Sequence, residues 1–134
     1  MATQTEWRTP AVTDSLNRKP LSPEEFKIRV KRLLEIYPYG RISSAWRSEG
    51  YNQQVGGHPE SKHLFSPLQP IALDLVWPGL EYQVANISRA AGVLGLWFVY
   101  HDKGSGPHLH TQALAPGPIP DWYRTQYNIS KDTL

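Results

Sequence analysis

Seven residues constrain this chain more than any others: Ile71-Ala72-Leu73-Asp74-Leu75-Val76-Trp77, set between Pro70 and Pro78-Gly79. An apolar run of this length, closed by proline and glycine, reads as a buried strand. Its single charged member is Asp74. A carboxylate between Leu73 and Leu75 is costly to bury unless it is paired or bound to a cation. A salt bridge to an arginine or exposure on an outer strand face would also relieve that cost.

The rest of the chain supplies partners of a suitable kind. Leu96-Trp97-Phe98-Val99-Tyr100 reads as a strand, residues 102–107 as a turn, and His108 to Leu114 as the returning strand of an antiparallel hairpin. Side chains alternate along a strand, so His108 and His110 share one face while Leu109 points into the core. His63 follows a turn. By themselves, His108 and His110 are equally well read as solvated surface residues, and His63 alone is better read so. Taken with Asp74, they form a His/Asp/His set of the type that holds a zinc ion and leaves one position open to water. The chain has no cysteine, so disulfides and thiolate sites are excluded and a metal would need His, Asp or Glu.

Around this set the chain reads as one α+β domain of 134 residues. Residues 1–21 form an irregular arm, with Trp7 as a possible anchor; 22–114 form the core; 115–134 form a second arm. Ser22, Pro23 and Glu25 announce a helix with a capping box. Phe26, Val30, Leu33 and Leu34 recur at helical spacing until Pro38 and Gly40 stop it. Arg41 to Trp46 is a short strand, and Gly50 to Val55 one helical turn. Leu80 to Ala91 is helical, with Gly92 as its cap. The expected architecture is a small, mostly antiparallel sheet with helices on one face and a groove on the other.

Composition removes several functions. Lys and Arg exceed Asp and Glu by 14 to 12, a net +2 with no basic stripe, which argues against nucleic acid and permits mild attraction to an anionic polymer. No stretch approaches the roughly 18–20 apolar residues of a membrane helix. The opening Met1-Ala2-Thr3-Gln4-Thr5-Glu6 lacks a secretory pattern. The expectation is a monomer made in the cytoplasm.

Residues 44–64 carry a more specific signal. Arg47-Ser48, Tyr51-Asn52, Val55-Gly56-Gly57 and Ser61-Lys62-His63 together resemble the zinc D-Ala-D-Ala carboxypeptidase family, which includes vancomycin-resistance dipeptidases and many phage endolysins. A wider group with lysostaphin-type enzymes and hedgehog signalling domains often closes its site with His-x-His. The resemblance runs from about residue 22 to 114. It implies one zinc ion on His63, Asp74 and His110. It implies that Arg47 steadies the substrate and the developing oxyanion, and that Ser61 and Tyr51 shape the substrate site. It also implies a peptidoglycan stem peptide as substrate, cleaved in the manner of a D-Ala-D-Ala carboxypeptidase or an L-Ala-D-Glu endopeptidase. The wall would be met after release from the cell, or from a phage particle.

The chain departs from the family pattern twice. Six residues usually separate the ligand His from the ligand Asp; here residues 64–73 intervene, because Ser66-Pro67-Leu68-Gln69-Pro70 is inserted. Loop closure entropy grows slowly with length, so the extra residues are tolerable. The family also places a Glu or Asp three residues before the last ligand, where this chain has Pro107. His108 is then the first candidate for proton transfer, with Asp102 or His101 as substitutes. The competing expectation is a non-catalytic metal-binding module of a phage particle with the same fold.

Overall fold

The computed structural model describes residues 19–45, 49–54, 61–65, 69–103 and 106–130. Trp7, Trp46, Arg47, the Val55-Gly56-Gly57 turn, His58 and residues 66–68 of the insertion lie outside them, as does most of the N-terminal arm.

The first helix, α1 (Pro23–Ile36), starts as its sequence dictates. The Ser22 hydroxyl accepts the Glu25 N–H at 3.0 Å, satisfying one of the free donors of the first turn. Only half of the expected capping box forms, because the Glu25 carboxylate accepts from Arg29 Nε one turn later at 3.0 Å. Phe26, Val30 and Leu33 are buried, which is the 3.6-residue stripe facing the core. After the helix, Trp77 Nε1 donates to Tyr37 O at 2.7 Å. A Cβ on Gly40 would lie 2.3 Å from that same nitrogen, so only glycine lets the chain pass Trp77.

The sheet has four antiparallel strands in the order β1-β2-β4-β3. These are β1 (Arg41–Ser44), β2 (Ala72–Val76), β3 (Trp97–Lys103) and β4 (Gly106–Gln112). A one-residue irregularity interrupts β1 between Ile42 and Ser44, opposite Asp74. The hairpin strands run further than their apolar residues suggest. His101, Asp102 and Pro107, expected in or beside the turn, lie within β3 and β4, where His101 faces His108 and Asp102 faces Pro107.

Alternation separates the two faces. Leu73, Leu75 and Leu109 join Phe26, Val30, Leu33, Ile87 and Ala91 in one core. Ser44, Asp74, His101, His108, His110 and Gln112 share the opposite parity. The expected α+β arrangement, with helices behind the sheet and a polar face in front, is what the structure has.

The predicted helix over 80–91 is two pieces. A 3-10 turn (Leu80–Tyr82) precedes α3 (Val84–Val93); α2 is the short helix Glu49–Gln54. The break falls at Gln83, whose side-chain amide donates back to Pro78 O at 3.1 Å. Gly92 does not cap α3 but is buried inside it. The C-cap is Leu94, followed by Gly95 at φ +80°. There the Gly95 N–H reaches Gly92 O, and the Leu96 N–H reaches Ala91 O, the paired bonds of a left-handed helix stop.

The described residues of the two expected arms, 19–21 and 115–130, reach the core. Leu21 is buried and its N–H donates to Ala113 O at 2.8 Å. A fourth helix, α4 (Asp121–Tyr127), buries Tyr123 completely. The Tyr123 hydroxyl donates to Leu21 O at 2.5 Å. Packing therefore accounts for Tyr123, while Trp122 beside it is 53% exposed. No helix among the described residues is long and apolar enough to cross a membrane.

Candidate metal centre

Asp74 and His110 face each other across β2 and β4. This register places their side chains together on the polar face, and His110 Nδ1 lies 2.9 Å from Asp74 Oδ1. His63 arrives from a separate element, a 3-10 turn over Lys62–Leu64. The Ser61 hydroxyl caps that turn by accepting the His63 N–H at 3.1 Å. His63 Nε2 then lies 3.1 Å from the same Asp74 oxygen. Ligand atoms of His63, Asp74 and His110 all fall within 4.8 Å of one another. The longer segment between residues 63 and 74 does not pull them apart.

Each imidazole is held from behind. His63 Nδ1 donates to Ala45 O at 2.6 Å. His110 Nε2 donates to Gln112 Oε1 at 2.7 Å. The orientation of the Gln112 amide is set by its own nitrogen, which donates to Leu114 O at 2.8 Å. A neutral imidazole has a single N–H, and in both rings a carbonyl oxygen takes it. The nitrogens that remain, His63 Nε2 and His110 Nδ1, then present lone pairs toward a carboxylate oxygen. Three electron-pair donors at this separation repel unless positive charge sits among them. Backing of each ligand histidine by a carbonyl is also how metal sites fix the ring tautomer. The donor set therefore fits a divalent cation that accepts imidazole and carboxylate.

Burial shapes the electrostatics. Asp74 and His63 are almost fully enclosed, and His110 partly so. Burial alone raises the Asp74 pKa. With no ion bound and both rings doubly protonated, hydrogen bonds from His110 and His63, together with their charge, outweigh it and hold the carboxyl well below the usual carboxylate range.

The centre forms one wall of a cavity of about 300 Å³ lined by Ser61, Lys62, His101, His108, Pro116 and Gly117 among others. His108 Nδ1 lies 3.1 Å from Gly106 O. The His101 ring stands 5.2 Å from that of His108 and 6.4 Å from that of His110. Asp102 is not brought to this group: it pairs with Pro107 and so shares the parity of Leu109, on the helix side of the sheet. Arg47 lies outside the described residues. The backbone of Tyr51 is in α2.

Sequence reasoning missed two residues here. Gln112 was legible, since it continues the alternation of 108 and 110 along β4. Lys62 was not, because its neighbour across the cavity, Gly117, lies 55 positions away.

The family model described as Peptidase M15 matches residues 13–110 of this chain. No curated protein and no solved structure matches it.

Proposed function

The chain belongs to the peptidase M15 family of metallopeptidases, and from that premise we propose that it hydrolyses peptide bonds in the stem peptides of peptidoglycan. One zinc ion on His63, Asp74 and His110 is part of the proposal. The observation that carries it is the convergence of two imidazole lone pairs and a carboxylate oxygen on one point. The likeness of the 44–64 motif string to phage endolysins supports a phage or prophage enzyme that meets the wall after release.

A zinc ion bound here supplies Lewis acidity and lowers the pKa of water to about 7. The chain supplies the rest. Ala45 O and Gln112 hold the two rings in the tautomers that leave His63 Nε2 and His110 Nδ1 free. Ser61 holds the turn that carries His63. His108, with Nδ1 engaged by Gly106 O, keeps Nε2 for moving a proton between water and the leaving amine, a role worth roughly a hundred- to ten-thousandfold in rate. Arg47 is assigned to the developing oxyanion on the family resemblance, where such stabilisation is the largest single effect.

One observation favours a second reading, an inactive metal-binding module. Asp74 is the only carboxylate among the described residues lining the cavity. One experiment separates the two. The protein and its His63→Ala variant are loaded with zinc, dialysed exhaustively, assayed for metal and incubated with purified peptidoglycan. One retained zinc per chain, with soluble peptides released by wild type alone, is the expected result. Retained zinc without release leaves the module; no retained zinc in wild type removes both.

A further inference from the structure

A second cavity, of about 550 Å³, opens where α1 hands over to β1 and where β2 ends. Tyr37, Pro38, Tyr39, Trp77, Pro78 and Gln83 line it. Among the described residues, none of its lining is shared with the cavity of the metal centre. Its size is within the roughly 300–1,000 Å³ of small-molecule sites. The walls are fixed: Trp77 Nε1 donates to Tyr37 O at 2.7 Å, and Pro38 and Pro78 stiffen the backbone beside them. The Tyr39 side chain stands out, since the residue is 86% exposed. Its backbone is left-handed, at φ +75°, a conformation costly for a bulky residue. Glycine would make that turn without strain. A ring so exposed contributes little to the core, so the fold alone gives no reason for a tyrosine here.

Charge and hydrogen bonding select what enters this groove. Among the described residues its lining carries no charge. Its donors are largely spent inside the protein: the Trp77 N–H on Tyr37 O, the Gln83 amide nitrogen on Pro78 O at 3.1 Å, and the Tyr37 hydroxyl on Asn86 O at 3.4 Å. With its nitrogen so held, Gln83 presents its carbonyl oxygen as an acceptor. Aromatic faces and an acceptor suit an uncharged ligand that brings an apolar face and its own donors. A proline-rich peptide brings carbonyl acceptors and few N–H groups, so it is poorly matched. An N-acetylated amino sugar is well matched: C–H groups on a ring face for Tyr39, an acetamido methyl for the apolar walls, and an amide N–H for Gln83. We propose that this groove binds an N-acetylhexosamine unit of a glycan strand, stacked on Tyr39 and donating to Gln83 Oε1. That the strand is the glycan of peptidoglycan rests on the function proposed above. Trp77 follows Asp74 by three residues, about 10 Å along an extended chain, so a polymer of sugars bearing peptides reaches both sites.

The test titrates isotope-labelled full-length protein, followed by NMR, with three probes. These are tri-N-acetylchitotriose, cellotriose (the same linkage without acetamido groups) and a polyproline peptide. The reporters are the Trp77 indole N–H, the Gly79 backbone N–H and the Gln83 side-chain amide. The acetylated trisaccharide is expected to move all three, and cellotriose to bind about two- to tenfold more weakly for want of one hydrogen bond. Glycine accepts a left-handed backbone, so Tyr39→Gly should fold as wild type does, checked by circular dichroism. It should bind the acetylated sugar about three- to tenfold more weakly, the worth of one aromatic contact. Tyr39→Phe keeps the ring and should keep the affinity. So should Tyr82→Ala, which removes an equally exposed tyrosine outside the lining. Unmoved groove signals, equal binding of cellotriose, or full affinity in Tyr39→Gly each overturn the proposal. So do shifts caused by polyproline in place of the sugar, or sugar shifts confined to the metal cavity. None of these readouts needs catalysis. A protein that digests peptidoglycan and ignores the trisaccharide loses this proposal alone; one that binds it at the groove and digests nothing loses the catalytic reading alone.

Discussion

Replacing Gln112 by leucine removes one hydrogen-bond acceptor from behind His110 and keeps the approximate size of the side chain. In the native protein the Gln112 carbonyl lies 2.7 Å from His110 Nε2, and its amide nitrogen is anchored to Leu114 O at 2.8 Å. The glutamine cannot turn its nitrogen toward the ring without giving up that anchor, so it specifies one tautomer. With leucine the ring is free to place its proton on Nδ1, the nitrogen that faces Asp74. That form cannot bind a metal. Losses of this kind typically weaken metal affinity by about 10–100-fold, or about 1.4–2.7 kcal/mol. Competition for zinc against a chromophoric chelator at neutral pH reads this directly, and circular dichroism confirms the fold. Gln112→Glu, which keeps the acceptor, should retain most of the affinity. Unchanged zinc affinity in a folded Gln112→Leu protein would refute the assignment of Gln112 as the residue that orients His110.

Three further outcomes are expected. Tyr123→Phe leaves the buried Leu21 carbonyl without its 2.5 Å donor and should cost about 1–3 kcal/mol, measured as a lower urea midpoint with an unchanged slope. Gly40→Ala places a methyl group 2.3 Å from Trp77 Nε1; the indole must move off Tyr37 O, and overpacking of this kind costs about 1–3 kcal/mol, visible in thermal melting and in tryptophan fluorescence. In the metal-free protein the Asp74 carboxyl titrates well below its ordinary range. Its contribution is therefore fully present above the unfolded value of about 3.9 and is lost as pH falls through the folded value. Urea midpoints of metal-free wild type and Asp74→Asn should differ at neutral pH and converge in strong acid; a constant gap would show that the carboxylate charge contributes nothing to the fold.

Local chemistry made much of this legible in sequence. Ser22 and Pro23 start α1, and the alternation at 108–110 places two histidines on one face. Asp74 stands out because an apolar strand has no reason to carry a carboxylate. The failures have a common cause. Periodicity over residues 80–91 is helical, but the N–H groups of Tyr82 and Gln83 donate to Gly79 O and Leu80 O, three residues back, a tightening that hydrophobic spacing does not encode. Two glycines stand near the end of α3, and the one that takes the left-handed conformation is Gly95, where a Cβ would also meet Arg29 Nη1 at 2.7 Å. Gly104, Ser105 and Gly106 look like the centre of a turn, and the sequence therefore puts Asp102 in it. The strands in fact continue to Lys103 and from Gly106, and one residue of parity moves Asp102 to the opposite face. Lys62 and the Tyr123–Leu21 bond depend on segments that meet only in the folded chain.

The three ligands do not sit on equal foundations. Asp74 and His110 belong to β2 and β4, the inner pair of the sheet, and freeing either one means opening that ladder. His63 is carried by a three-residue turn fastened by the Ser61 hydroxyl and, next to it, by the Lys62–Gly117 bond. An ion captured here would therefore leave through that turn long before the sheet yields. Its residence time becomes a property of the few hydrogen bonds that Ser61, Lys62 and the His63 ring make, separate from the stability of the domain. Conditions that loosen Ser61 or Lys62 would speed the exchange of metal with the surroundings and leave the melting temperature of the metal-free protein almost unmoved.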